Sequence, residues 1–151
     1  MAKPNKKNTF DIIFSVNDIS LEESYVNKDI ETDVTLQDKL RFKFSGETIL
    51  EAATSMLKII IYYKFLKEEV LLLDMKVVNS FKLRNLNESQ MNKAHQDKKF
   101  IKSLVMLSVN HTRGIQSTLI KGTRFDKLYM PLLPDFQLDA KLDPKPPTPA
   151  K

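Results

Sequence analysis

The stretch DKKFIKSLVMLSVNHTRGIQSTLIKGTRFDKLYMPLLP, residues 97–134, carries the one long helical pattern in the chain. Its apolar residues recur at helical intervals: Phe100, Leu104 and Leu107, then Ile101 and Val105, with Ile115, Leu119 and Ile120 further on. Gly122 follows Lys121, a glycine suited to the left-handed C-cap beside a cation at the negative helix end. From Lys98 to Lys121, at ~1.5 Å per residue, this helix would be about 36 Å long, enough to cover one face of a small sheet. After the cap, Pro131 and Pro134 forbid further regular helix and leave an extended finish.

Upstream of the helix the hydrophobic period falls to two. In Val70 to Leu83, the side chains Leu71, Leu73, Met75, Val77 and Phe81 share one face, while Asp74, Lys76 and Ser80 mark the other. Lys58 to Phe65 is β-branched and aromatic, with Ile59, Ile61, Tyr63 and Phe65 on one face and two lysines opposite. Lys67-Glu68-Glu69 reads as the hairpin turn between them, without an Asn-Gly or Asp-Gly signal. Leu40, Phe42 and Phe44 alternate with Arg41, Lys43 and Ser45 until Gly46 interrupts. Phe10, Ile12, Phe14 and Val16 alternate with Asp11, Ser15 and Asn17 in a first strand that bends near Asn17-Asp18, with Ile19 and Leu21 available to continue it.

The remaining pieces are connections. Glu22 to Asp38 is polar and weakly patterned, a connection with room for one short extended piece. Glu47 to Ser55 holds helix formers next to a strand and stays open between the two. Asn87-Glu88-Ser89-Gln90 offers an N-cap and a short helical turn, and Asn92 to Lys99 reads as loop. Strands first and helix last predict an α+β fold, an antiparallel sheet with helical material on one face.

A length of 151 residues fits a single core, and 42% hydrophobic with 28% charged residues is the balance of a folded domain. The expected division is a disordered basic leader at 1–9, one domain at 10–136, and a flexible tail at 137–151 that carries four of the seven prolines. No apolar run approaches the ~20 residues needed to span a bilayer. The opening MAKPNKKNT is followed by no apolar h-region, so no secretory signal is read and the cytoplasm is the expected compartment. Cysteine is absent, which excludes disulfides, thiolate metal sites and cysteine nucleophiles. The net charge is +5, yet the late cations Lys98, Lys99, Lys102, Arg113, Lys121, Arg124 and Lys127 are spread around the helix, a solvated face before a nucleic-acid surface.

Nothing in the chain reads as a catalytic constellation. The two histidines, His95 and His111, sit in no metal-ligand spacing, and three glycines make no phosphate-cradling loop. No serine lies in a G-x-S-x-G elbow, and the acid pairs Glu22-Glu23 and Glu68-Glu69 fall in turns. The expectation is a protein without enzymatic activity, cofactor or metal. What does stand out is a second apolar set: Ile60, Tyr62 and Leu66 on one strand, Val70, Leu72 and Val78 on the next. That face could be a subunit interface, a peptide-binding groove, or a core buried on both sides.

The residues His111-Thr112-Arg113-Gly114-Ile115, then Lys121-Gly122-Thr123, then Leu128 and Met130-Pro131-Leu132-Leu133, resemble the C-terminal half of SecB-like export chaperones. Val77-Val78-Asn79-Ser80-Phe81-Lys82-Leu83 is similar to the family's strand before its helices, and Phe10 to Leu21 to its opening strand. The resemblance implies a four-stranded antiparallel sheet followed by a long C-terminal helix packed on one face. It also implies a bacterial dimer of dimers that holds unfolded polypeptides in apolar grooves without nucleotide or metal. Familiar members are acidic and hand clients to the SecA motor, whereas this chain is basic and its tail proline-rich.

The expectation is therefore an ATP-independent holding chaperone for unfolded or extended polypeptides, with a role in protein export left open. Ile60, Tyr62, Leu72 and Val78 are its candidate peptide-binding side chains. Arg113 and Gly122 take structural roles in helix packing and capping. The runner-up is an interaction module dedicated to one protein partner, for example in antitoxin protection. A basic nucleic-acid-binding protein comes third, and membrane insertion is not expected.

Overall fold

The alternating stretches form strands in the computed structural model, which describes residues 11–35 and 37–128, although the first strand starts at Ile13 and runs past Leu21 to Val26. The leader 1–9, the tail 137–151 and the Met130 to Leu133 step fall outside the described residues. The elements run β1 (Ile13–Val26), β2 (Leu40–Glu51), β3 (Met56–Lys67), β4 (Val70–Arg84), α1 (Glu88–Gln96) and α2 (Lys98–Leu119). All strand pairs are antiparallel and the sheet order is β1-β4-β3-β2. This is an α+β fold with both helices on one face.

β2, β3 and β4 form a simple meander. Strand pairing settles the open stretch at 47–55: β2 continues to Glu51, which faces Met56, and a single 3₁₀ turn, Ala52–Thr54, closes the hairpin. The helix formers Glu47 and Glu51 yield here because the ladder to β3 satisfies their backbone groups. The β3–β4 hairpin closes between Lys67 and Val70, with Glu68 at φ 54° in place of the glycine such a turn prefers.

α2 covers the sheet with Ile101, Leu104, Val105 and Val109, all buried. Opposite them lie Leu57, Ile59, Ile61, Tyr63 and Phe65 of β3 and Leu73, Met75, Val77, Phe81 and Leu83 of β4, in one buried cluster. Each such side chain contributes roughly 1.5–3 kcal/mol by leaving water. The chain beyond α2 adds Ile120, Phe125 and Leu128 to the cluster.

Two helix expectations change. Asn92 to Lys99 is not a loop: α1 runs on to Gln96, after which Asp97 alone separates it from α2. A capping box of Asn87 and Gln90 starts α1, and burial of Met91 and Ala94 carries it past its first turn. α2 ends at Leu119, two residues before the expected Lys121. Ile120 is its C-cap, and Gly122, at φ 81°, turns the chain in the left-handed region just beyond.

Candidate apolar binding surfaces

The face of the sheet without helices holds three of the four expected contact residues. Ile60 and Val78 are direct cross-strand partners, each only 8% exposed, and the half-buried Tyr62 lies two residues along β3. The Lys76 ammonium sits 5.9 Å from the centre of the Tyr62 ring. Around this short apolar row run ion pairs: Lys58–Glu51 at 2.7 Å, Lys64–Asp74 at 3.6 Å and Lys76–Glu22 at 3.0 Å. Such exposed pairs add little stability, about 0–1 kcal/mol each, but they neutralise the face and narrow its apolar stripe.

Leu72 is a correction. It is fully buried and belongs to the cluster beneath the helices, not to the second face. The cause is a β-bulge: Phe65 pairs with Leu73 and Leu66 with Leu71, so Leu72 is the extra residue of β4. The bulge sets Leu72 and Leu73 together against Phe65 and breaks the alternation from which its outward position was read. Asn27 closes the irregularity, its backbone N–H donating to the Leu72 carbonyl at 2.9 Å and its side-chain amide to that of Leu71 at 3.1 Å. Arg113 lies half-buried on the flank of α2.

A more open apolar surface lies on the helix side, between β1 and α2. The register places Phe14 opposite Leu83, Val16 opposite Phe81 and Ile19 opposite Asn79, all facing the helix layer. A bulge between Val16 and Asp18, at the expected bend, keeps Val16 and Ile19 on that one face. On α2, the stripe Phe100, Leu104, Leu107, His111 runs alongside. Phe14 and Phe100 meet edge-to-face at 5.7 Å, and His111 Nδ1 lies 2.8 Å from Asn79 Oδ1. Between those two contacts Val16, Ile19 and Leu107 stay 49%, 37% and 38% exposed. β1 is also a sheet edge, so one side of its backbone has no strand partner among the described residues. In the sequence Val16 reads as one member of an alternating strand and Leu107 as one of the helix's apolar set, with no signal that marks either as exposed. Their exposure shows only once α2 is placed on the sheet.

The polar groups near these surfaces are structural in geometry. Desolvation holds both His95 and His111 below the ordinary imidazole pKa. His95 Nε2 lies 2.9 Å from the hydroxyl of Thr48, tying α1 to β2. Among the described residues no three His, Asp or Glu side chains converge as a metal site would require. None of the described helices is long and apolar enough to cross a membrane.

Comparison with solved structures gives the fold a relative. The Mycobacterium tuberculosis SecB-like chaperone Rv1957, solved in complex with a ChAD peptide from the Rv1956 HigA1 antitoxin, superposes with a TM-score of 0.55 at 14% identity. The match covers 80% of this chain and 90% of that one. The fold is SecB-like. No family model matches the sequence, and no curated protein matches it either.

Proposed function

We propose that this chain is a non-enzymatic, ATP-independent holding chaperone that captures unfolded or extended polypeptides along the flank between β1 and α2. The observation that carries the reading is that flank: exposed Val16, Ile19 and Leu107 beside β1, whose outer edge has no strand partner among the described residues. An extended client laid there gains strand-type hydrogen bonds from β1 and buries alternate apolar side chains against the helix. The peptide bound by the SecB-like neighbour supports a polypeptide ligand. Ile60, Tyr62 and Val78 supply a second, smaller contact on the other face. In this reading the protein acts in the cytoplasm as a dimer or tetramer, its copies joining through exposed surface such as Met106 of α2. SecA is left out of the proposal, because Glu22, Glu51 and Asp74 on the sheet face are already paired with lysines.

The test is suppression of aggregation of an unrelated denatured protein without ATP, alongside light-scattering mass. The double variant Val16→Ser/Ile19→Ser should lose most of that suppression, and Tyr62→Ser a smaller part. A wild-type protein that leaves the denatured protein to aggregate sinks the reading. The neighbour's antitoxin peptide favours one second reading, a module for a single partner. In that case the flank variants lose one ligand and general suppression is absent from the start.

A further inference from the structure

β1 and β2 lie on opposite edges of the sheet, so the link between them, residues 27–39, must cross its full width. That strap is pinned at both ends. Asn27 bonds the β4 bulge, while Thr35 and Asp38 close a turn (Thr35 N–H to Asp38 Oδ2, 2.7 Å) that Lys67 holds at 3.3 Å. Its middle is held through Ile30, Asp33 and Val34. Ile30 is partly buried and Val34 fully so, whereas Glu31, Thr32, Asp33 and Thr35 are exposed. Among the described residues, two polar contacts tie 28–34 to the rest of the fold. The Val34 N–H donates to the Arg124 carbonyl at 2.7 Å, and Asp33 Oδ1 meets Arg124 Nη1 at 3.4 Å in water.

This is how an extended peptide binds: a backbone bond, an aliphatic side chain inserted in the cluster with Phe125 and Leu128, and a carboxylate one residue earlier on a guanidinium. Resting on the holding-chaperone reading, we propose that Ile30–Val34 is an internal occupant of a client subsite. The clients held best carry an aliphatic residue directly after a carboxylate in an extended segment. Such a client replaces the Asp33 and Val34 contacts of the strap in kind, so the two compete for the same place. The strap swings out between its two pinned ends, and its release sets the apparent affinity. Lys121 and Lys127 flank Arg124 and favour the same acidic ligand.

The probe is a fluorescein-labelled peptide of residues 28–37, KDIETDVTLQ, titrated by anisotropy into the full chain. Val34→Ser in the protein should tighten binding about tenfold over wild type, because the competing occupant is weakened. A probe with valine replaced by serine, or with its second aspartate replaced by lysine, should bind the same variant at least about threefold more weakly. Equal affinity of wild type and variant, or no binding to a variant whose circular dichroism is native, overturns the proposal. Should Val34→Ser fail to fold, Asp33→Lys removes the exposed ion pair without touching packing and should tighten binding about threefold, no change overturning it. Aggregation suppression is scored separately. Peptide binding without suppression removes the holding role and leaves the subsite, and suppression without peptide binding does the reverse.

Discussion

His111 on α2 donates from Nδ1 to the side-chain oxygen of Asn79 on β4 across 2.8 Å. The Asn79 amide nitrogen is turned toward the Ile59 carbonyl at 3.4 Å, which fixes the oxygen as the acceptor and Nδ1 as the protonated ring atom. Asn79 is fully buried. Asn79→Ala removes the acceptor and opens a void under the helix, so chemical denaturation should show a loss of about 1–3 kcal/mol. A loss within experimental error would mean that the contact does not position α2.

Both histidines are held below their usual pKa by burial, so the unfolded chain binds the proton more readily than the folded one. Their contribution is present above the unfolded value near 6.5 and is lost as pH falls from there through the lower folded values. Urea midpoints measured from pH 7.5 to 5 should decline over that window. His95→Gln should flatten part of the decline, and a parallel curve for the variant would rule out His95 as a source.

Leu72→Ala should cost about 2–5 kcal/mol, the range for a fully buried leucine. An outward-facing contact residue would cost at most about 0.5 kcal/mol. The thermal melt of this one variant decides between bulge and regular alternation.

Tyr63 sits 1% exposed, and its hydroxyl has no hydrogen-bond partner among the described residues. Desolvation raises its pKa well above the ordinary phenol value. Removing that hydroxyl ends an uncompensated burial, so Tyr63→Phe should raise stability by about 1 kcal/mol. A destabilised variant would show that the hydroxyl is bonded after all.

Much of the architecture was legible because binary patterning is strong in Lys58 to Phe65 and in the α2 stretch. The class, the hairpin at 67–69 and the positive-φ Gly122 all follow from local signals. What was not legible came from pairing. The alternation of Leu71 to Leu73 reads the same with or without a bulge, and the bulge exists only because β3 supplies one residue fewer. Helix formers at 47–51 became strand because β3 pairs with them. Exposure of Val16 and Leu107 depends on where α2 lies across the sheet, which no single strand encodes. Asn87 and Gln90 did announce α1, but its length depends on Met91 and Ala94 finding the core.

The sheet order also sets a timetable for folding. β2, β3 and β4 pair with their immediate neighbours, so their hairpins close over short loops as the chain is made. β1 is synthesised first, yet its partner comes last: Ser15 and Arg84, in contact across the β1–β4 seam, are 69 residues apart in sequence. Closing so long a loop is entropically slow, which makes β1 docking a late step. Until β4 leaves the ribosome, the amphipathic strand that carries Phe14, Val16 and Ile19 has no sheet to join. A nascent chain of this protein is thus, for part of its synthesis, the kind of polypeptide that the finished fold is proposed to hold.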